Sequence, residues 1–430
     1  MSPKELLEAE RRHQWHPFTQ MQLWNAADHE PLTIERGEGP YLIDSYGRRY
    51  LDGNSSIWTN IHGHNHPVIN QAIQEQLGKI AHSSFLGLTH RPAIELGEKL
   101  AEQLAGAPLP RVFFSDDGST AIECALKMSL QHWQLTGDPA RNEMLAFDQA
   151  YHGDTLGAGA LGGIAAFHDR FATLGLTTHR VAGLQQLDEI PAATRQRLAA
   201  VIIEPMIQGA AGMRTWPAGM LTSLRQWCSE HGIHLILDEV MTGFGRTGRM
   251  FACQHENVVP DFLCLAKGLS GGYLPLAATL TTEAIFEAFL GGTERTFYHG
   301  HSYTGNPLGC AAALANLRLF EEEDTLARLG PRIEHLHDVL ASLRSEHPQV
   351  SAIRQCGFIA GIDLTGADGT PLDPSLLTGA RVCTAARAHG LLTRPIRDTL
   401  VLMPPLCTTC DQIDAAVAAL SGAISEIIPS

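Results

Sequence analysis

The strongest constraint on this chain is an alternation of short apolar runs, each of strand length, with longer segments of helical periodicity. The strand-like runs are Arg111–Ser115, Glu143–Phe147, Ala199–Glu204, His234–Leu237, Phe262–Ala266 and Leu276–Leu280. Helical patterns lie between them, as in Ala93–Gln103 and Leu221–His231. Strands that are apolar on both faces and separated by helices predict an α/β fold, a mainly parallel sheet covered by helices on both sides. In such sheets ligands bind beyond the carboxyl ends of the strands. The chemically distinctive residues of this chain fall at those ends.

The outer segments read differently. Before about Gly63 the chain is turn-rich, with strand-like pieces at Tyr41–Asp44 and Arg49–Leu51. After about Asp324 come a long polar helix pattern, a Gly-rich strand around Phe358–Asp363 and a closing helix from Cys410. With 430 residues available, this predicts a large domain over 63–324 and a smaller α+β domain built from both chain ends, 1–62 and 325–430.

The formal charge of -15 argues against nucleic acid as a partner, because phosphate backbones need clustered Lys and Arg. No apolar run has the length of a membrane span. The first residues lack the apolar stretch of a secretory signal, and the nine scattered cysteines suit a reducing compartment. A cytoplasmic location is expected. Cys407 and Cys410 form one CxxC, which reads as ordinary loop cysteines. His62, His64 and His66 share their stretch with Gly63, Asn65 and Pro67, a turn composition, and no metal site is expected there.

Lys267 closes the apolar run Phe262–Ala266 and is followed by Gly268-Leu-Ser-Gly-Gly272. Burying a free ammonium is costly unless its pKa falls. An imine-forming lysine resolves that tension, since desolvation favours the neutral nucleophile. Asp238 ends the run Ile236-Leu-Asp238, 29 positions earlier, and Thr242-Gly-Phe-Gly-Arg-Thr-Gly248 follows. Pyridoxal phosphate needs an acid beside its ring nitrogen, and Asp238 and Lys267 could address opposite sides of one ring. The third motif, Ser115-Asp-Asp-Gly118-Ser119-Thr120, runs from a strand into a helix whose buried stripe is Ile122, Leu126, Leu130 and Trp133. Gly118 permits close backbone approach, and free N–H groups at a helix start favour phosphate. Ser119 and Thr120 could equally serve as helix caps.

These motifs, with Tyr151-His-Gly153, Glu204-Pro205, Gln208-Gly209 and His299-Gly-His-Ser-Tyr-Thr-Gly-Asn-Pro307, resemble the class III aminotransferases of the fold type I pyridoxal-phosphate enzymes. The resemblance runs over nearly the whole chain. It implies that Lys267 holds the cofactor as an imine and afterwards shuttles protons. It further implies Asp238 at the pyridine nitrogen, Gln208 at the ring oxygen, Tyr151 and Val240 on the two ring faces, and Gly118 and Ser119 at the phosphate. His301 and Ser302 would reach the phosphate of a neighbouring subunit, so a homodimer with shared sites is implied. The expected kinetics are ping-pong.

Within the family, Trp15-His-Pro-Phe18-Thr-Gln-Met21, Asp52-Gly-Asn-Ser-Ser-Ile-Trp58 and Arg394-Pro395 are most similar to the branch that aminates 8-amino-7-oxononanoate in biotin biosynthesis. By that likeness Phe18, Ile57, Trp58, Tyr151, Gly300 and Arg394 would contact substrate, with Arg394 at the acceptor carboxylate. Members using S-adenosylmethionine as donor carry tyrosine where Phe18 stands and Trp-Trp where Ile57-Trp58 stands. Some members use lysine and resemble this chain at both positions, so either donor is compatible. Competing readings are an omega-aminotransferase using pyruvate or 2-oxoglutarate, an aminomutase, and a catalytically inactive regulatory protein that binds pyridoxal phosphate. The Trp15–Met21 and Ser55–Trp58 motifs count against the first, and the retention of Lys267 and Asp238 against the last.

Overall fold

The computed structural model describes residues 1–26, 29–104 and 109–428. Its centre is a seven-stranded sheet, with strands β1 (Arg111–Ser115), β2 (Glu143–Phe147), β3 (Thr178–Val181), β4 (Leu198–Ile203), β5 (His234–Asp238), β6 (Phe262–Leu265) and β7 (Ala277–Thr281). The spatial order is β1-β7-β6-β5-β4-β2-β3. Six strands run parallel, and β7 is antiparallel to both of its neighbours, β6 and β1. Every residue of β4, β5 and β6 is buried, as required of strands with helices on both faces.

The helix Gly118–Leu135 buries Ala121, Ile122, Cys124, Ala125 and Leu126 against this sheet, and Leu130 and Trp133 pack at its edge. Asp117 caps it, accepting from the Thr120 amide at 3.0 Å. The cap satisfies one orphan donor and leaves the first amides of the helix facing outward. Helix Met220–His231 ends at Gly232 in the left-handed region, φ +61°, where a residue without Cβ costs least.

The two chain ends meet in a second sheet. Ile34–Glu38, Tyr41–Asp44 and Arg49–Asp52 form an antiparallel set, and Leu391–Leu392 adds in parallel with Leu51 opposite Leu391. A third, antiparallel sheet joins Val350–Cys356, Ile359–Leu364, Thr399–Leu402 and Pro395–Ile396. The closing helix is Cys410–Ile427 and the long polar helix is Thr325–Glu346. The fully buried Arg246 guanidinium donates to the carbonyls of Asn60 and Pro404, both at 2.7 Å, and so fastens the two end segments to the central one.

Three features were not anticipated from the sequence. A capped helix, Pro3–His13, opens the chain and buries none of its residues. Strand β3 joins the sheet edge, and the run predicted at Leu276–Leu280 is antiparallel. The three histidines take separate partners: His62 meets the Asn316 carbonyl at 3.2 Å, His64 meets Asp52 at 2.9 Å, and His66 meets Glu323 at 3.3 Å. Burial pulls His62 down to about 4.

Candidate active site

A cavity of about 500 Å³ opens at the carboxyl ends of the parallel strands. Asp238 terminates β5 and stands in register with Cys264 of β6, three residues before Lys267. Both side chains therefore face one space. Glu204 follows β4 directly, and Tyr151 lies on the loop after β2. The start of helix Gly118–Leu135 forms a further wall, which includes Gly118 and Ser119.

Lys267 has φ +43°, a strained value for a side chain of this size. Burial pulls its ammonium below the usual lysine range, while the carboxylates of Asp238 and Glu204 pull the other way. The Nζ lies 4.9 Å from the Trp58 ring centroid. Asp238 Oδ2 accepts from His152 Nδ1 at 2.7 Å, and its Oδ1 accepts from the Val240 amide at 3.1 Å. This arrangement fixes the carboxylate and directs its remaining lone pairs at the cavity. His152 is buried and its Nε2 has no partner among the described residues.

Glu204 accepts from the Tyr151 amide at 3.1 Å and the Gly209 amide at 2.9 Å. Burial nevertheless pushes its carboxyl up to about 7. The Tyr151 hydroxyl donates to Asp154 at 2.6 Å, and burial foremost drives its pKa upward. Ser119 Oγ accepts from the Asp154 amide at 3.1 Å. A Cβ at Gly118 would come within 2.7 Å of Val240 Cγ1, so only glycine leaves that corner open. At Gly153, φ +126°, a Cβ would collide with Ser119 Oγ.

Of the residues expected from the sequence, Lys267, Asp238, Val240, Tyr151, Gly118, Ser119 and Trp58 line this one cavity. Gln208 is buried behind it. Its Nε2 donates to the Asp148 carbonyl at 3.0 Å, and its Oε1 has no partner among the described residues. Phe18 stands outside with its ring edge-on to Tyr151, centroids 6.4 Å apart. Ile57 is exposed beside Trp58, and Gly300, His301, Ser302 and Arg394 are exposed too. His301 reaches Asp116 of its own chain at 3.4 Å. Arg394 pairs with no carboxylate among the described residues.

Two residues of the site carried no role in the sequence reading. His152 sits inside the Tyr151-His-Gly153 motif, but nothing in the motif says that its ring turns towards Asp238, 86 residues on. Glu204 ends a strand just as Asp238 does, which was the available signal. The segment Ser55–Trp58 adds an unforeseen backbone: φ is +46°, +49°, +68° and +68° at four successive residues. L-residues visit this region singly, at about 1–2 kcal/mol each.

The model of the aminotransferase class-III family matches residues 24–424. This chain belongs to the class III aminotransferases. Among its relatives is the adenosylmethionine-8-amino-7-oxononanoate aminotransferase of Nitratidesulfovibrio vulgaris, 48% identical over 96% of this chain and 80% of that protein. The crystal structure of the same-named aminotransferase from Methanocaldococcus jannaschii superposes with a TM-score of 0.95 at 40% identity, over 99% of both chains. An amine transaminase from an uncultivated Pseudomonas species, in its PLP-bound form, gives 0.90 at 36% identity, over 96% of this chain and 98% of that one. The fold of this class III aminotransferase is thus fold type I.

Proposed function

We propose that this aminotransferase binds pyridoxal phosphate at Lys267 and converts 8-amino-7-oxononanoate to 7,8-diaminononanoate in biotin biosynthesis. The observation that carries the reading is the convergence of a desolvated lysine amine, a fixed carboxylate and an open helix N-terminus on one cavity. The name shared by the relatives supplies the acceptor.

The cavity suits the cofactor on its own chemistry. The outward amides at Gly118 and Ser119 fit a phosphate, the bare corner at Gly118 admits it, and Asp238 supplies a counter-charge for a pyridinium. Bound there, the cofactor supplies an electron-withdrawing ring that acidifies the C–H beside the transferred nitrogen. Lys267, whose pKa burial lowers, takes that proton as base and returns it as acid. Asp238, held by His152, keeps a proton on the ring nitrogen. Tyr151 and Val240 bound the two ring faces, and Gln208 serves the ring oxygen from behind. Arg394, without a carboxylate partner of its own, takes the acceptor carboxylate, with Phe18, Ile57, Trp58 and Gly300 as the other substrate contacts. His301 and Ser302, exposed in one chain, complete the phosphate site of a second copy in a homodimer. No helix among the described residues is long and apolar enough to cross a membrane, and the nine cysteines are all free, which supports work in the reducing cytoplasm.

The test is a pair of half-reactions followed by absorbance. The cofactor-loaded enzyme is mixed separately with S-adenosylmethionine and with lysine, and then with 8-amino-7-oxononanoate. One donor should convert the lysine-linked cofactor to its aminated form, and the acceptor should restore it. If 7,8-diaminononanoate fails to aminate the cofactor in reverse, the acceptor assignment is wrong. Lys267→Ala should lose both the lysine-linked absorbance and turnover; retention of that absorbance would remove Lys267 from the mechanism.

A further inference from the structure

Asp52 ends the strand Arg49–Asp52 and is 1% exposed. Its carboxylate is fully engaged. Oδ1 accepts from the amides of Asn54 at 3.3 Å and Ser56 at 3.1 Å, while Oδ2 accepts from Ser56 Oγ at 3.0 Å and meets His64 Nε2 at 2.9 Å. His64 is itself fixed. Its amide and carbonyl bridge to Gly39, Asn60 touches its Nδ1 at 3.3 Å, and its Cβ fills the space a side chain at Gly37 would need.

The loop that Asp52 grips is the left-handed turn Ser55–Trp58. Its ends close by backbone bonds from Trp58 to Asn54 at 2.8 Å and from Thr59 to Ser55 at 2.9 Å. Ser55 Oγ donates to the Met403 carbonyl at 2.7 Å. Trp58 Nε1 donates to Asn54 Oδ1 at 2.8 Å. Left to itself a run of L-residues would not hold this hand, so strain on this scale persists only where neighbouring contacts over-determine it. Here the contacts are Asp52, Asn54 and Met403. What the turn delivers is the indole of Trp58, set between Lys267 Nζ and the Gly209 backbone, where an added Cβ would meet Trp58 Cη2 at 3.2 Å.

We infer that Asp52 is a positioning residue: through Ser56 and His64 it holds a strained left-handed turn whose product is the Trp58 wall of the substrate cavity. The inference rests on the proposed function for its kinetic readout, but not for its structural one. Asp52 touches no substrate; it acts through Trp58, and the turn is strained so that the indole has one position.

The test uses the cofactor-loaded enzyme with Ser56→Gly, Ser56→Ala, Asp52→Asn and Trp58→Ala. Ser56 is exposed and its replacement spares the core. Glycine there relieves the strain at φ +49° and cuts the hydroxyl bond to Asp52 Oδ2 while keeping the amide bond to Oδ1, so Ser56→Gly should melt at or above the wild-type temperature. It should nonetheless raise KM for the acceptor about tenfold with kcat changed less than about threefold, and Trp58→Ala should do the same. Cofactor loading should be unchanged in both. Crystal structures of the wild type and of Ser56→Gly give a readout independent of activity: the turn should be left-handed in the first, and the indole should leave Lys267 in the second. A KM unchanged in Ser56→Gly and Asp52→Asn while Trp58→Ala raises it would overturn the inference. So would an indole that stays in place in Ser56→Gly, or a rise in KM in Ser56→Gly and Ser56→Ala that only tracks a fall in melting temperature. A wild-type enzyme inert towards 8-amino-7-oxononanoate would instead defeat the functional reading, and the crystal structures would still decide this one.

Discussion

Replacing Gly118 with alanine should weaken cofactor binding while leaving the empty protein nearly as stable as before. The new Cβ would lie 2.7 Å from Val240 Cγ1 and 3.2 Å from Cγ2, against about 3.5–4.0 Å for relaxed carbon contacts. Val240 must therefore retreat by about 1 Å. Its backbone is tied by the amide bond to Asp238, so the side chain must turn, and the free direction is into the cavity. That escape is open in the empty site and closed when a ring occupies the space between Val240 and Tyr151. The overpacking cost, about 1–3 kcal/mol, should thus fall on affinity, as a Kd raised about 5- to 150-fold. The assay strips the cofactor, titrates it back and follows the visible absorbance of the lysine-linked form. Adding Val240→Ala should recover most of the loss, because the two positions share one contact. A Kd for Gly118→Ala within about twofold of wild type, or a double variant as weak as the single one, would refute the reasoning.

Two further outcomes are expected. His152→Phe removes the 2.7 Å bond to Asp238 Oδ2, and loss of a bond to a charged group should lower kcat about 10- to 100-fold; an unchanged kcat with normal cofactor loading would show that Asp238 needs no support. Glu239 is fully buried, and burial pushes its carboxyl up to about 7. An unfolded glutamate titrates near about 4.3, so between those values the folded chain keeps a proton that the unfolded chain has released. Its contribution to stability therefore falls as pH rises through that window, by about 4 kcal/mol, and is level above it. Urea midpoints at pH 5 and pH 8 check this: relative to Glu239→Gln, the wild type should be the poorer at pH 8, and a difference independent of pH would contradict it.

Much of the molecule was legible in its sequence because the strand ends carry unusual residues. An aspartate and a lysine closing fully apolar runs can be placed from pattern alone, since a parallel sheet puts all such ends on one side. The helix after Ser115 could be read from its stripe and its cap. What stayed hidden depends on contacts between distant segments. The edge strand Thr178–Val181 has little apolar signal of its own and exists by pairing with β2. The reversal of β7 is set by how the chain returns from Lys267, which periodicity does not encode. His152 and Glu204 acquire their roles only when loops after different strands converge. The left-handed turn at Ser55–Trp58 has no glycine to announce it, and its cause, the buried Asp52, is itself positioned by a strand near the far end of the chain.

That last dependence has a consequence in time. Leu51 pairs with Leu391 and Asp52 with Leu392, about 340 residues later in synthesis. At roughly 5–20 residues per second a ribosome needs roughly 15–70 s to cover that distance. Throughout it the strand Arg49–Asp52 shows an open edge of the kind that recruits foreign strands. The Lys267 side of the cavity can be built well before its Trp58 wall has anything to lean on. Newly made chains are therefore most exposed to misassembly while the catalytic half is already formed, and stalled or truncated products ending before about residue 391 should aggregate through their first sheet.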